Sequence, residues 1–373
     1  MTVPRRVLHL VLDLHEGGLE RVVVDLVQGT DRGRFETSVL CLARRGQLAD
    51  ELPPNQVHLA PAMTAGSMLI PLALTRTLEQ LAPDLVHIHS GVWFKAARAA
   101  RRAGIAPVIF TDHGRTHPDP LAARVLDHAA SRLTRRVVAV SEPLREYLER
   151  KVWVAPGKLT VIRNGVRPAA TSDDGGALAL RTELGIPAGA VIVGSVGRLD
   201  TVKAYDVLIR AMATVRANWG GGRPPVLVLV GDGPDRSRLE QVIRAVNLTD
   251  GVILAGWRSD VSRFLGAFDL FVLSSDSEGT SVSLLEAMAA GVPPVATAVG
   301  GNPAVIGPLM KDQLVPPQDP AALASVIAGS LQNPGRADRL RHLAPERVAA
   351  EFGLARMIGE YEQLYTQLLE ASS

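Results

Sequence analysis

The sequence predicts an α/β protein of two domains, each built on a parallel sheet with helices on both faces. Short apolar, β-branched segments alternate with segments of helical period along most of the chain, as they do in doubly wound domains. Several of the apolar segments contain no polar interruption, which is typical of strands buried on both faces of a sheet. The chain has 373 residues, which is enough for two domains of ordinary size.

Ten segments are predicted to be strands. They are residues 7–12, 37–42, 85–89, 108–111 and 136–140 in the first half of the chain, and 191–196, 226–230, 252–254, 270–273 and 294–297 in the second half. Turn-forming residues cluster from Pro168 to Gly176, so we predict a first domain of residues 1–168 and a second of residues 169–352. Residues 354–369 should form a helix, because one stripe collects Met357, Ile358, Tyr361, Leu364, Tyr365 and Leu368.

The composition excludes several classes of protein. The charges nearly balance, at a net +2, whereas a dedicated nucleic-acid binder would need a basic excess. A single cysteine, Cys41, excludes a disulfide framework, and its apolar neighbours predict a buried side chain. No apolar stretch is long enough to span a bilayer, and the start of the chain fits a strand better than a signal peptide. We therefore expect a cytoplasmic protein, for which basic residues at 95–102 and 132–136 leave open a peripheral contact with the inner membrane.

The loop after residues 270–273 carries the strongest chemical signal. Ligands of open parallel sheets bind beyond the carboxyl ends of the strands, and Glu278 lies in this loop, eight positions before Glu286 in the next helix. The free N–H groups and the dipole at a helix start attract anions, and this start comprises Gly279, Thr280 and Ser281. A diphosphate would fit here between two carboxylates. The spacing leaves open a structural alternative, in which Ser283 and Glu286 form a capping box.

Two other loops of the second half add candidates. Arg198 and Lys203 follow residues 191–196 and suit a diphosphate, because arginine grips two oxygens and lysine acts as a point charge. Taken alone, the two are better explained as solvated surface cations, which is the usual fate of arginine and lysine. Gly231 to Pro234 is interpreted as a tight turn. Arg258, after Trp257 at the end of another strand, would border a nucleobase or simply lie beside a packed side chain.

The first half offers weaker signals. Gly17 and Gly18 open the first helix and would let the backbone approach a bound group, or serve only as a helix entry. His113 follows residues 108–111, where a histidine would contact a substrate or handle a proton, with a structural role as the alternative. We interpret His87 as structural and count His117 as a further candidate wall residue.

Two motifs are absent from the sequence. It contains no Asp-x-Asp and no cluster of histidine and cysteine along the chain, so no metal is implied. No Gly-x-Gly-x-x-Gly follows a strand, which disfavours a nicotinamide or flavin cofactor. We expect a protein without a metal and without a cofactor.

These motifs together resemble the retaining GT-B glycosyltransferases of family 4. The resemblance extends over the chain in the order GGLERVVVDLV, DLVHIHSG, VAVSEPLREYL, VIRNGV, GRLDTVK, VLVGDGP, SEGTSVSLLEAMAAG and QLVPPQDPAALA. It implies two Rossmann-like domains with a donor cleft between them and a last helix, residues 353–373, that crosses back to the first domain. The chain departs from the family at Ala204, where glycine is common, and at Ala304, where glutamate is common.

The resemblance implies a role for each candidate. Glu278 would bind donor-sugar hydroxyls near the reacting carbon, and Glu286 the ribose. A diphosphate clamp would consist of Arg198, Lys203 and the backbone of residues 279–281. Gly17 and Gly18 would approach the phosphates and the acceptor. His113 would face the donor sugar, and Arg258 would lie near the base.

The implied reaction is transfer of a hexosyl or N-acetylhexosaminyl group with retention of configuration. The donor would be a nucleotide sugar, by preference a UDP-sugar, which is a substrate and not a cofactor. The acceptor would be a saccharide or lipid-linked saccharide of bacterial polysaccharide or cell-envelope synthesis. The alternatives are a sugar-nucleotide epimerase or phosphorylase on the same fold, and a non-catalytic protein that binds nucleotide sugars.

Overall fold

A computed structural model describes residues 3–15, 17–60, 71–115, 119–168, 174–187 (174–177 as backbone alone) and 189–371. The chain divides into two compact units. The first comprises Met1–Gly165 together with Leu354–Ser373, and the second comprises Val166–Gly353.

The first unit contains a seven-stranded sheet in which every pairing is parallel. Its strands are β1 (Arg5–Val11), β2 (Phe35–Cys41), β3 (Val57–Leu59), β4 (Leu85–His89), β5 (Val108–Asp112), β6 (Arg136–Ala139) and β7 (Leu159–Val161). The helices between them are α1 (Gly18–Gly29), α2 (Leu72–Leu81), α3 (Trp93–Arg102), α4 (Leu121–Leu133) and α5 (Glu142–Lys151). The strand order is β3-β2-β1-β4-β5-β6-β7. Strands β2 and β3 are therefore added on one side of β1 and strands β4 to β7 on the other, so the strand order reverses between β1 and β4.

The second unit contains a six-stranded parallel sheet in the order β10-β9-β8-β11-β12-β13. Its strands are β8 (Ile192–Val196), β9 (Val226–Val230), β10 (Val252–Gly256), β11 (Leu270–Leu273), β12 (Pro294–Thr297) and β13 (Leu314–Val315). Its helices are α6 (Asp174–Glu183), α7 (Tyr205–Ala217), α8 (Arg236–Ala245), α9 (Val261–Ala267), α10 (Val282–Ala289), α11 (Asn302–Ile306), α12 (Pro320–Leu331) and α13 (Pro334–Glu351). Here the order reverses between β8 and β11.

The last helix, α14 (Leu354–Glu370), belongs to the first unit. All six side chains of its predicted apolar stripe are buried. Polar contacts fasten the same helix, since Glu362 accepts a hydrogen bond from the backbone N–H of Asp31 at 2.7 Å and Arg356 donates one to the carbonyl of Arg163 at 2.7 Å. The first unit is therefore assembled from two stretches of chain that are far apart in sequence.

The predicted fold class is confirmed: both units are α/β with parallel sheets. Each predicted strand is present, with bounds within two residues of those expected. Three strands, β3, β7 and β13, were not predicted, because runs of two or three residues carry no periodic pattern. These strands lie at the sheet edges and depend on their neighbours. Cys41 is fully buried, as expected, and burial raises the pKa of its thiol to about 12.

Within the described ranges, no helix is both long enough and apolar enough to cross a membrane. The expected peripheral contact depended partly on a basic face of α3 that included Lys95. That interpretation is wrong for Lys95, because its side chain is buried and burial lowers its pKa.

Candidate functional site

The site of the second unit forms where β8 and β11 end side by side. This is the point at which the strand order reverses, and the loops after both strands meet there. Nζ of Lys203, in the turn that precedes α7, lies 2.6 Å from Oε1 of Glu278. Ser275 donates a hydrogen bond to the same carboxylate oxygen at 2.7 Å, and Ser274 donates one to the carbonyl of Lys203 at 2.8 Å. Two predicted catalytic residues, 75 positions apart, are thus held together by two serines.

This ion pair is largely withdrawn from solvent. The side chain of Lys203 is 21% exposed and that of Glu278 only 9%. Burial lowers the pKa of Lys203, but the charge of Glu278, the nearby Tyr205 and the hydrogen bond to Glu278 together raise it by more, so its net pKa lies above the ordinary lysine value. Lys203 is therefore a positive charge whose side chain is already ordered. An anion that binds beside it loses no further side-chain entropy of the lysine.

Helix α10 begins at Val282, four positions after Glu278. Ser281 is its N-cap, with Oγ accepting from the backbone N–H of Leu284 at 3.4 Å. The alternative in which Ser283 and Glu286 form a capping box is wrong, because Ser283 lies inside the helix and Glu286 is its fifth residue. Residues 279–281 lead into the helix start, which is the predicted phosphate site.

Two glycines that were not among the predicted site residues, Gly300 and Gly301, support the loop of Glu278. Gly300 has a φ of 50°, and a side chain there would collide with the carbonyl oxygen of Glu278. The next residue, Gly301, donates its N–H to the carbonyl of Gly279 at 2.8 Å, and a side chain on it would meet that carbonyl. The Gly-Gly pair after β12 was a usable signal, because paired glycines after a strand mark a close approach of two backbones.

The segment Gly231 to Pro234 is more than a turn. Gly231 has a φ of 135°, and a side chain there would collide with the carbonyl of Gly197. Gly233 is packed in the same way against the carbonyl of Leu199, whose N–H donates to the carbonyl of Asp232 at 2.9 Å. These glycines let the loop after β9 support the loop that carries Arg198.

Two predicted cations of the second unit form ion pairs with carboxylates other than that of Glu278. Arg198 is 64% exposed, and its Nε is 3.9 Å from Asp200. The guanidinium of Arg258 binds Glu183 at 2.5 Å and Asp260 at 3.0 Å, which holds it in a cluster of carboxylates. The predicted roles of Arg198 in a diphosphate clamp and of Arg258 beside a base stay predictions.

In the first unit, His113 follows β5 and is held in place from two sides. Its backbone N–H donates to Oγ of Ser90 at 2.9 Å, and its Nε2 lies 2.9 Å from Nδ1 of His89. Gly17 precedes α1 with an extended backbone, and Gly18 is the first helical residue. His117 lies outside the described residues.

A buried ion cluster fixes the loop that carries His113. Arg115 donates to Asp112 at 2.6 Å, to Asp127 at 2.7 Å and to Asp119 at 2.9 Å. The side chain of Asp112 is only 2% exposed; burial raises its pKa, and Arg115 opposes that rise. Arg115 thus supplies the charge that makes a buried aspartate tolerable.

Replacing Arg115 with alanine should lower the free energy of unfolding of the first unit by about 3–5 kcal/mol, because it leaves Asp112 buried without its cation. Urea unfolding followed by circular dichroism measures the loss. Arg145 is a matched control, since it also bridges two carboxylates but lies more exposed on α5, and its replacement should change the stability far less. A loss below about 1 kcal/mol for Arg115→Ala would contradict the structural role of the cluster.

The fold also creates a group of histidines that the sequence spacing did not reveal. His9 lies opposite His87 in the register of β1 and β4, and ring nitrogens of these two and of His89 all lie within 4.8 Å of one another. The expectation that histidines do not cluster is therefore wrong in three dimensions. Both ring nitrogens of His87 are engaged, by Tyr365 at 2.8 Å and by Thr111 at 2.7 Å, so hydrogen bonds account for its place in the group.

Comparison with known proteins adds to this geometry. A model described as Glycosyltransferase Family 4 matches residues 16–170, and one described as Glycosyl transferases group 1 matches residues 178–347. The chain is 28% identical to UDP-Gal:alpha-D-GlcNAc-diphosphoundecaprenol alpha-1,3-galactosyltransferase of Escherichia coli, over 80% of each chain. It is 29% identical to 2-deoxystreptamine N-acetyl-D-glucosaminyltransferase of Streptomyces fradiae, over 89% of this chain and 82% of the relative.

Two solved structures share the fold. HepE of Anabaena, in complex with UDP and glucose, gives a TM-score of 0.85 at 21% identity and covers 98% of this chain and 100% of its own. A sucrose-phosphate synthase of Thermosynechococcus elongatus gives a TM-score of 0.80 at 24% identity, with the same coverage.

Proposed function

We propose that this chain, which belongs to glycosyltransferase family 4 and has the GT-B fold, transfers a hexosyl or N-acetylhexosaminyl group from a UDP-sugar. The acceptor in this proposal is a saccharide or lipid-linked saccharide of bacterial polysaccharide or cell-envelope synthesis. Support for the donor comes from the Escherichia coli relative, whose name specifies UDP-Gal, and from HepE, which was solved with UDP. Support for the acceptor is the lipid-linked GlcNAc diphosphate in that same name.

The observation that carries the proposal is the Lys203–Glu278 pair at the strand-order reversal of the second sheet. A diphosphate bound at the start of α10 would lie beside the fixed charge of Lys203, which neutralises the negative charge that grows on the leaving group. The carboxylate of Glu278 has two oxygens; Lys203 and Ser275 both bind Oε1, so Oε2 is the oxygen we assign to the hydroxyls of the donor sugar.

The proposed step balances without a base supplied by a side chain. The acceptor oxygen forms a bond to the anomeric carbon while the bond from that carbon to the diphosphate breaks, and the electron pair of the broken bond leaves with UDP. The acceptor proton passes to a phosphate oxygen of the leaving group. Attack from the face that the leaving group occupied retains the anomeric configuration.

A screen of nucleotide sugars tests the donor. We expect a UDP-sugar to raise the melting temperature more than the GDP- and ADP-sugars do, and to give a transferred product whose anomeric configuration, read by NMR, equals that of the donor. An epimerase would convert the donor without an acceptor, and a binding protein would show stabilisation with no turnover on any acceptor. No stabilisation by any nucleotide sugar would contradict the proposal.

We also propose that the reaction needs no metal, because Lys203 supplies the positive charge at the leaving group. Transfer rates should stay within about twofold after treatment with EDTA and gel filtration, since the site chemistry uses a lysine and helix N–H groups. A loss of activity that Mg²⁺ or Mn²⁺ restores would overturn this part of the proposal.

A further inference from the structure

We propose that the first unit docks on an anionic lipid bilayer through an apolar patch on α4, which basic residues border at one edge of the sheet. The patch consists of Leu121, Val125 and Leu126 of α4 together with Trp153, which follows α5. The proposal goes beyond the transfer reaction, because it depends on no residue of the second unit and on no property of the donor.

One side of α4 exposes apolar side chains where a surface helix ordinarily exposes polar ones. Leu121 is 59% exposed, Val125 52% and Leu126 39%. Residues four apart lie on the same side of a helix, so these three side chains form one patch. The other side of α4 is packed, since Ala130 and Ser131 are buried. Exposed apolar residues that occur singly are ordinary, whereas a contiguous patch indicates an interaction site.

Trp153 extends the patch beside α4. The guanidinium of Arg124 lies over its indole ring at 5.7 Å, and the ring of His128 meets it edge-on at 6.1 Å. Nδ1 of His128 also donates a hydrogen bond to the carbonyl of Trp153 at 3.1 Å. The tryptophan is therefore held in place while 46% of its surface stays exposed. An aromatic ring with one N–H group suits the boundary between lipid and water.

The backbone at Trp153 has a conformation that favours glycine. Its φ is 60°, in the left-handed region, where a side chain crowds the following carbonyl oxygen. Helices commonly end with a glycine in this conformation, and Trp153 comes just after the end of α5. Glycine would make the turn with less strain, so the turn itself does not explain a large, exposed ring. A function at the surface does.

Basic residues end the three helices on this face of the sheet. Helices α3, α4 and α5 connect the parallel neighbours β4, β5, β6 and β7, so they run in one direction and end at the same edge of the sheet. Their last turns contain the basic residues Arg101, Arg102, Arg132, Arg150 and Lys151. Such cations complement the helix dipoles, but that role does not explain the apolar patch beside them.

Carboxylates offset only part of this charge. Within the described ranges, Arg132 and Arg135 form no ion pair, and both are exposed. The nearby Glu146 of α5 is paired with Arg150. Burial and the charges of Arg135 and Arg132 lower the pKa of Lys158, because the three cations lie close together. Anionic phosphates would relieve the repulsion among these cations.

The size and the charge of the surface favour a bilayer over a protein partner. A stable protein interface takes about 20–30 residues from each side, far more than the four apolar side chains of this patch. A bilayer needs only a few apolar side chains at the level of the headgroups, with cations beside them to bind anionic lipid. The exposed arginines next to the patch supply that second component.

Flotation of the full-length chain with lipid vesicles tests the proposal. Vesicles of equal parts phosphatidylglycerol and phosphatidylcholine should bind the protein at low salt, and about 0.5 M NaCl should release most of it. Vesicles of phosphatidylcholine alone should bind it at least about tenfold more weakly. No binding to the anionic vesicles, or equal binding to the two compositions, would overturn the proposal.

Variants locate the binding on this surface. Replacing both Arg132 and Arg135 with glutamine should lower the partition coefficient about 30-fold, or about fivefold for each charge. Val125→Gln should lower it about fivefold, because the half-exposed valine no longer enters the bilayer. Trp153→Gly should lower it about tenfold while the protein stays folded, since the backbone there favours glycine. Wild-type binding by all three variants would place the contact elsewhere and contradict the proposal.

Two matched controls come from the opposite edge of the same sheet. Arg44 follows β2 and is exposed like Arg132, and Leu59 ends β3 and is 53% exposed, close to the value for Val125. Arg44→Gln and Leu59→Gln should each leave the partition coefficient within about twofold of the wild type. Losses equal to those of the patch variants would show binding without a preferred face, against the proposal.

Fluorescence gives a second measurement that does not depend on affinity. Vesicles with brominated acyl chains should quench part of the tryptophan emission of the bound protein, and Trp153→Gly should remove that quenching. Undiminished quenching in this variant would overturn the assignment to Trp153. A dimer in sedimentation equilibrium that Val125→Gln dissociates, with no vesicle binding, would show that the patch joins two copies of the chain and would overturn the proposal.

Discussion

Replacing Glu278 with glutamine should lower kcat for sugar transfer by about 100-fold to 1,000-fold while leaving the protein folded. The glutamine keeps an acceptor for Ser275 and for Lys203, so the loop retains its shape, but the negative charge beside the donor sugar is lost. Affinity for UDP, measured by calorimetry, should change little, because UDP lacks the sugar that Glu278 contacts in the proposed complex.

Lys203→Ala should cause a loss of transfer of similar size for a different reason. It removes the charge that stabilises the departing diphosphate, so both kcat and the affinity for UDP should fall. Glu240→Ala is the control for both variants, since this glutamate forms an exposed pair with Arg236 on α8. If Glu278→Gln and Lys203→Ala both transfer sugar at the wild-type rate, the ion pair does not belong to the active site.

Lowering the pH from 7.5 to 5.0 should destabilise the first unit by more than about 2 kcal/mol. The pKa of His9 falls to about 3 in the folded state from an ordinary value of 6.5, so the unfolded chain binds the proton first. The contribution of His9 to the free energy of unfolding is therefore fully present above pH 6.5 and is lost as the pH falls toward 3. At pH 5 this linkage costs about 2 kcal/mol for His9 alone. His87 and His89 act in the same direction, since burial lowers the pKa of both.

Urea unfolding at pH 7.5, 6.5 and 5.0 measures this effect, and His9→Leu identifies its source. The variant should lose about 2 kcal/mol less than the wild type between pH 7.5 and pH 5.0, because leucine binds no proton. Leu8→Ala, on the same strand, is the control: it should lower the stability at every pH without changing the slope. A wild-type stability that is flat from pH 7.5 to pH 5.0 would contradict the burial of these histidines.

The sequence predicted the sheets well because buried parallel strands have uninterrupted apolar runs, such as residues 226–230. It also identified Lys203 and Glu278 separately, since each follows a strand. What it did not contain was their pairing, which depends on the adjacency of β8 and β11. The contribution of Ser275 likewise became visible only when the loop was folded around the carboxylate.

The contact between His9 and His89 shows the same limit more clearly. His9 and His89 are 80 positions apart, and nothing in their local sequence distinguishes them from structural histidines. Only the register of β1 against β4 brings them together. By contrast, six of the seven buried residues of α14 were predicted and only Leu369 was missed, because helical period is a local property that the neighbouring strands need not supply.

The position of α14 determines when each half of the molecule can mature during translation. Residues 1–165 leave the ribosome long before residues 354–370, yet Tyr361 and Tyr365 of that last segment are needed to close the polar core around Thr111 and His87. The stretch Val166–Gly353, by contrast, forms its unit from one continuous segment of chain. The unit whose synthesis begins first is therefore completed only after residues 354–370 are made, and until then the sheet that carries His87 and Thr111 lacks the helix that binds them and is open to aggregation.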